Sequence, residues 1–302
     1  MDALAWEAEP PQLRSPVLVC AFAGWNDAAG SATTALTTAA EALDAEMVAQ
    51  VDPEEFFDFQ ANRPTISLSD GQTREIEWPG NVLLTATPTG AERDLVLLAG
   101  TEPNLRWRTF SEGLAETAES LGVEMVITLG ALIADVAHTM PVPITGLASD
   151  SELVERLDLQ RSNYEGPTGV VGVLHDACNR RGMPSASLWA AVPHYVAAVP
   201  NPKAALALLR RLEGLVGVAV DASSLEEESE SFERQVSNAV SANPEIQELV
   251  QRLERDQAEQ LELSDEIPSG EALAQDFERF LRQRGGGEPP SGPAGPESPP
   301  AG

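Results

Sequence analysis

The sequence predicts an α/β protein with a wound, parallel-rich sheet that is covered by helices on both faces. Short runs of consecutive apolar residues, the pattern of buried strands, recur along the chain. Amphipathic helical patterns lie between several of these runs, which is the order expected for strand–helix–strand units. The apolar runs do not alternate with polar residues, as they would in a sheet with one face in water. These observations together indicate the fold class.

Each predicted strand is an apolar run bounded by residues that favour turns. In chain order the strands are Pro16–Ala23, Asn81–Thr87, Asp94–Ala99, Glu124–Leu129, Val142–Leu147 and Ser187–Val192. Because their side chains are apolar on both sides, we expect helices to cover both faces of the sheet.

The segment 64–87 has a different pattern. Apolar and polar residues alternate on both sides of the pair Asp70-Gly71, a combination typical of a tight turn. We therefore expect an antiparallel hairpin added to the wound sheet. Its apolar residues are Ile66, Leu68, Ile76 and Trp78.

Helices are predicted where apolar residues recur every three or four positions. The first helix would begin after Asn26 or Asp27, both of which are good N-cap residues, and two further helices have the same periodicity. Their apolar faces consist of Ala32, Leu36, Ala39, Ala40 and Leu43, then Phe110, Leu114, Ala118 and Leu121, and then Ala205, Leu208, Leu209 and Leu212.

The chain changes character at Asp221, where acidic helical patterns replace the alternation of strands and helices. We expect an α/β core domain over residues 1–220, an acidic helical region over 221–284 packed on or beside the core, and a disordered Gly/Pro-rich tail over 285–302. A short helix near the end of the acidic region would carry Leu273, Phe277, Phe280 and Leu281.

Two long acidic helices are predicted in this region, Leu225–Ala242 and Pro244–Glu262, separated by the helix breaker Asn243-Pro244. Both carry an apolar stripe that must be buried. The stripes could pack on the core and on each other, or they could contact another subunit. They consist of Phe232, Val236, Ala239 and Val240, and of Ile246, Leu249, Val250 and Leu253.

The formal net charge of −29 excludes several classes of partner. So acidic a surface repels nucleic acids and anionic membranes, whereas a basic protein partner remains compatible with it. Cys20 and Cys178 lie in apolar surroundings, as expected for buried thiols in a reducing compartment. The first residues, 1–15, lack the features of a signal peptide, so we expect a cytoplasmic protein.

Polar residues follow the carboxyl ends of several predicted strands, where open α/β sheets bind ligands. Together they predict a small pocket, although each also has a structural explanation. Aspartate and asparagine are ordinary N-caps, a glutamate stabilises the start of a helix that follows it, and histidines among apolar residues are often structural. The candidates are Trp25, Asn26, Asp27, Glu102, Asn104, Asp135, His138, His194 and Tyr195.

A glycine-rich segment precedes a helical run over residues 170–180. Its amides could bind an anion, or it could be a tightly packed loop. The sequence has neither a Walker loop nor a dinucleotide-binding pattern, and it has no nucleophile elbow and no cysteine or histidine spacing typical of zinc sites. We therefore predict no catalytic residue, no cofactor and no metal ion. The segment consists of Glu165, Gly166, Pro167, Thr168 and Gly169.

Several segments, taken in order, resemble the proteasome assembly chaperone family, also known as the proteasome assembly chaperone 2 family, and in particular its bacterial and archaeal members. The resemblance covers roughly residues 15 to 265, and the ordered set is far more specific than any one segment. The segments are Gly24–Gly30, Arg93–Leu98, Glu102–Trp107, Leu129–Ala131 with Asp135-Val136, Glu165–Gly169 and Ser187–Tyr195.

The resemblance implies a three-layer α/β/α fold of the phosphorylase/hydrolase-like type and homo-oligomeric assembly, with a trimer as the first candidate. In eukaryotic relatives it implies a scaffold on which the proteasome α-ring is built. Relatives that dock on proteasomes often end in a hydrophobic residue, tyrosine and any residue. This sequence ends in Pro300-Ala301-Gly302, so docking through its C-terminus is not expected.

Two functions are compatible with the sequence. The first is a non-enzymatic scaffold or assembly-chaperone-like protein whose client is unknown and could be proteasome-related. The alternative is a protein or enzyme that binds a nucleoside or a small anion and is related to nucleoside phosphorylases and hydrolases. Asn26, Asp27, Glu102 and His194 would then be the first residues to test. We favour the scaffold, because a fold alone does not establish a catalytic site.

Overall fold

The computed structural model describes residues 4–7, 9, 11–69, 73–148, 150–161 and 165–265. The strands are β1 (Leu4–Trp6), β2 (Val17–Ala23), β3 (Glu46–Val51), β4 (Thr65–Ser69), β5 (Thr73–Glu77), β6 (Asn81–Ala86), β7 (Leu95–Thr101), β8 (Met125–Ala134), β9 (Ile144–Ala148), β10 (Gln160–Arg161) and β11 (Ser185–Pro193). The helices are α1 (Ser31–Ala42), α2 (Pro53–Phe56), α3 (Trp107–Ser120), α4 (Ser151–Arg156), α5 (Val170–Arg180), α6 (Pro202–Val216), α7 (Ser223–Ser241) and α8 (Pro244–Asp265).

The main sheet is mixed, in the order β1-β3-β6-β7-β2-β8-β11-β9-β10. Strands β7, β2, β8 and β11 are parallel, as predicted, whereas β1, β3, β6 and β9 pair with their neighbours on the central side in antiparallel fashion. Strands β9 and β10 at one end are also parallel. The predicted parallel arrangement is therefore confirmed for the centre of the sheet, and the sheet as a whole is mixed. The short connection over 87–94 explains one antiparallel pair, because a parallel crossover needs a dozen or more residues.

Helices cover both faces of the central strands, as the uniformly apolar runs predicted. Alternate residues of β2 belong to different cores: Val17 and Val19 pack with α1 and α6, whereas Leu18 and Cys20 pack with α3 and α5. Cys20 and Cys178 are both buried free thiols, and burial raises the pKa of Cys178 to about 11. Both cysteines therefore serve as small apolar residues of the second core.

All six strands predicted from apolar runs are present, with ends shifted by a few residues. The sequence patterns do not predict β3 or the short elements β1, β10, α2 and α4. Strand β3 lies near the edge of the sheet, and three of its six residues are exposed, so it lacks the continuous apolar run of a central strand.

The predicted hairpin is formed by β4 and β5, which pair antiparallel with Ile66 opposite Ile76. The two strands form a separate two-stranded sheet. The expectation that the hairpin is added to the main sheet is therefore wrong. The predicted turn at Asp70-Gly71 lies outside the described residues.

The two predicted acidic helices correspond to α7 and α8, which are separated by residues 242–243. Val236 and Val240 of α7 and Val250 and Leu253 of α8 are buried in one cluster with Ala137. The stripes therefore pack on each other and on the chain that follows β8, which is the first of the two alternatives.

The chain divides into two units, residues 1–254 and 255–302. The described part of the second unit is the end of α8, and the predicted third helix and tail lie outside the described residues. A domain boundary at residue 220 stays a prediction. No helix in the described ranges is long and apolar enough to cross a membrane.

Candidate functional site

Asp27 acts as the cap of the first long helix, one of the two roles that the sequence allowed. Its carboxylate accepts hydrogen bonds from the N–H of Ala32 (2.6 Å) and the hydroxyl of Thr33 (2.5 Å). The residue directly before α1 is Gly30, which has no side chain to serve as a cap. Burial raises the pKa of Asp27, and these hydrogen bonds oppose that rise by stabilising the charged form.

Glu102 stabilises the start of a helix, but not the one that follows it in the sequence. Its Oε1 atom accepts a hydrogen bond from the N–H of Val170 (2.8 Å), at the N-terminus of α5. The sequence analysis had placed this charge at α3, which begins at Trp107. A carboxylate at a helix N-terminus is favoured by the exposed N–H groups and by the helix dipole.

Gly169 permits this arrangement, because a Cβ atom at its position would lie 2.5 Å from Glu102 Oε1 and 2.4 Å from Asn26 Nδ2. The structure thus brings Asn26, Glu102 and the end of the glycine-rich loop together. The preceding loop residues are exposed: Glu165, Gly166, Pro167 and Thr168. Because the chain's own carboxylate lies at the start of α5, close packing accounts for Gly169. The role of the rest of the loop stays a prediction.

His138 and Tyr195 form a second group, which attaches α7 to the chain segments that follow β8 and β11. The hydroxyl of Tyr195 accepts the backbone N–H of His138 (2.8 Å) and lies 2.8 Å from its Nδ1. On the other side of the ring, His138 Nε2 lies 3.1 Å from Ser237 Oγ. Each ring nitrogen therefore faces a hydroxyl, and either tautomer of the neutral ring can form both hydrogen bonds. Burial lowers the pKa of His138, which favours this neutral form.

The single lysine of the chain strengthens the same attachment. Lys203 Nζ donates to the backbone oxygen of His138 (2.6 Å) and pairs with Glu233 of α7 (2.5 Å). The partly buried ammonium group therefore links the loop after β8, helix α6 and helix α7.

The remaining candidates lie at the surface. His194 Nδ1 is 3.1 Å from Asp135 Oδ1, and the Asp135 side chain is 85% exposed, so this pair contributes little to stability. Asn104 does not cap α3. Its side chain accepts the N–H of Asp58 (3.0 Å), which holds the loop after α2. Trp25 is 63% exposed.

Sequence reasoning missed a cleft of about 780 Å³ at the ends of β2 and β7. Several short segments line it, including Thr33 and Thr37 of α1, Asp52, Trp78 and Thr101. The only available signal was the position of Thr101 at a strand end, next to the candidate Glu102. Trp78 was assigned to the hairpin, and it instead follows β5 directly. Within the described ranges, no group of histidine, cysteine and acidic side chains could hold a metal ion.

The chain is similar to proteins of known family. A family model described as the PAC2 family matches residues 21–240. A PAC2 family protein from Streptomyces avermitilis is 47% identical, with 78% of this chain and 99% of that chain covered and a TM-score of 0.73. A proteasome-assembly chaperone homologue of Mycobacterium tuberculosis is 44% identical, with the same coverage and a TM-score of 0.71.

A second Mycobacterium tuberculosis protein, whose function is unknown, is 28% identical. The match covers 86% of this chain and 92% of that chain, with a TM-score of 0.79. These structures contain the same mixed α/β fold. Among curated proteins, none matches the chain.

The substitution Gly169→Ala should destabilise the fold by about 1–3 kcal/mol, because the added methyl group would displace the Glu102 carboxylate from α5. Gly214→Ala is the matched control: this glycine lies within α6, and a Cβ atom there would meet nothing within 4 Å. In the control variant the free energy of unfolding should rise by about 0.5–1 kcal/mol, because alanine favours a helix more than glycine does. Urea unfolding measures both, and equal stability of Gly169→Ala and the parent would contradict the close contact.

His175 predicts a loss of stability in mild acid. Its ring nitrogens lie within hydrogen-bond distance of Thr128 (3.0 Å) and Ser185 (2.9 Å), and burial lowers its pKa to about 4. The unfolded chain, with an ordinary histidine pKa of about 6.5, binds a proton first as the pH falls. The contribution to stability is therefore full above about pH 6.5, and about 2 kcal/mol is lost by pH 5.

This loss can be measured by urea unfolding at both pH values. In His175→Gln the difference in unfolding free energy between pH 7 and pH 5 should be smaller by about 2 kcal/mol, because glutamine does not titrate. If the pH dependence of His175→Gln equals that of the parent, the buried His175 is not the group that causes the loss of stability in acid.

Proposed function

Because the chain belongs to the PAC2 family, we propose that it acts as a non-enzymatic, assembly-chaperone-like scaffold for other proteins. The observation that carries this proposal is the family match over residues 21–240, together with 44% identity to a proteasome-assembly chaperone homologue. The proposed client is a proteasome-related protein. Such a role would place the chain in the cytoplasm.

The use of polar side chains at the strand ends supports a scaffold over an enzyme. A general acid or base must reach the proton that it transfers. Asp27 instead holds α1, Glu102 holds α5 and His138 holds α7. These structural roles account for the positions of the three side chains at the strand ends.

An exposed apolar face supports the proposal that copies of the chain associate. Ile66, Leu68 and Ile76 lie on one face of the hairpin and are 58%, 62% and 52% exposed. A two-stranded hairpin is marginally stable in water by itself. A second copy that covers this face would bury the three side chains and stabilise the strands, and we retain a trimer as the first candidate for the assembly.

The alternative is a protein that binds a nucleoside or a small anion. One observation, the cleft of about 780 Å³, favours a small organic ligand such as a nucleoside and gives no support to an anion, because Asp52 lines it. The glycine-rich loop gives it little support, because Glu102 occupies the start of α5. We therefore separate the question of a ligand in the cleft from the proposed scaffold function.

The scaffold function is tested by mixing the purified chain with recombinant α-type proteasome subunits and measuring the masses of the complexes by native mass spectrometry. We expect a stable complex with the subunits, or faster formation of their rings. A parallel assay measures turnover of nucleosides by the parent and by Asp27→Asn, since asparagine is an equally good helix cap. Absence of any complex, or turnover that Asp27→Asn abolishes, would overturn the proposal.

The proposed self-association is tested by the double substitution Ile66→Ser and Leu68→Ser. Native mass measurement should find the parent as an oligomer and the double variant as a monomer, because two apolar side chains are removed from the contact. Met47→Ser is the control, since Met47 is 49% exposed but lies on β3. A double variant with the mass of the parent would exclude the hairpin face as the contact between copies.

A further inference from the structure

The cleft lies where the topology of the sheet favours a ligand. It opens beside Ala23 and Thr101, at the carboxyl ends of β2 and β7. From β2 the chain passes through α1 to β3 on one side of the sheet order, and from β7 it passes through α3 to β8 on the other. The two connections leave in opposite directions, and in open α/β sheets the crevice at such a switch point is the usual ligand site.

The shape and walls of the cleft fit a small organic molecule. Its volume of about 780 Å³ lies in the range of ligand pockets, and most of its surface is apolar. Trp78 is 50% exposed, and its ring lies 4.8 Å from the ring of Phe59, which holds it in place. A flat ligand could therefore stack on an indole that is already positioned.

The charges around the cleft disfavour an anion. Asp52 lines it, and among the described residues no lysine or arginine does. Two of the polar groups are backed by acids: the Thr33 hydroxyl donates to Asp27 (2.5 Å), and the Gln50 amide donates to Glu7 (2.9 Å). One carboxylate, Asp52, thus lines the cleft, and two more, Asp27 and Glu7, accept hydrogen bonds from side chains that line it. A positively charged group in the cleft is therefore attracted and a negative one is repelled.

We propose that this cleft binds a small aromatic cation, whose ring stacks on Trp78 and whose positive group faces Asp52. The attraction of a cation to an aromatic face adds to the effect of the carboxylate. Asp52 is held in place because its Oδ1 atom accepts the N–H of Glu54 (3.0 Å) at the start of α2. This site is independent of the scaffold function and can be present whether or not the chain binds proteasome subunits.

The test uses two probes with the same ring and opposite charges, tryptamine and indole-3-propionate. Their dissociation constants for the full chain are measured by titration with ligand-observed nuclear magnetic resonance. We expect tryptamine to bind at least about tenfold more tightly than the acid. Equal or tighter binding of the acid, or no binding of tryptamine, would overturn the proposal.

Two substitutions locate the site. Asp52→Asn keeps a good cap for α2 but removes the negative charge, so the preference for tryptamine should fall severalfold. Trp78→Ala should weaken the binding of tryptamine about tenfold. Trp25→Ala is the control, because it removes an indole of similar exposure that does not line the cleft. An unchanged preference in Asp52→Asn, or an equal loss in Trp25→Ala and Trp78→Ala, would refute the assignment.

Discussion

The burial of both faces of the central strands constrains the rest of this structure. Leu18 and Val19 point to opposite helix layers, and neither is more than 2% exposed. A polar side chain within such a strand would have no access to water, so hydrogen-bonding groups collect where the strands end. Helices also begin there, with backbone N–H groups that need acceptors. Asp27 and Glu102 meet this need, because their carboxylates accept hydrogen bonds from N–H groups at the starts of α1 and α5.

The same constraint explains which parts of the fold could be predicted from the sequence. Continuous apolar runs identified the strands of the buried centre, and an N-cap residue identified the start of α1. Strand β3 was missed because its exposed residues interrupt the apolar pattern. The partner of Glu102 was missed for another reason. Val170 is 68 positions away in the sequence, and only the pairing of distant strands brings the two together.

The cleft shows why the ends of predicted strands do not by themselves identify the residues that line a cleft. Local patterns direct attention to polar residues directly after a strand, and two of those, Asp27 and Glu102, stabilise the starts of helices here. The walls of the cleft come from α1, the end of β3, the chain after β5 and the end of β7. Each of these segments looks ordinary by itself. The switch point that joins them is a property of the strand order, which no single segment encodes.

The distribution of charge determines how such a surface can recognise proteins. Several arginines form ion pairs within the chain: Arg14 pairs with the buried Asp94 (2.6 Å), and Arg181 contacts three glutamates of α3. The excess of acidic side chains therefore faces water, and copies of the chain repel one another. Salt screens this repulsion beyond about 10 Å, which would favour the proposed association through the apolar hairpin face. The same screening would weaken the attraction of a basic client, so the proposed self-association and the proposed client binding would respond to ionic strength in opposite directions.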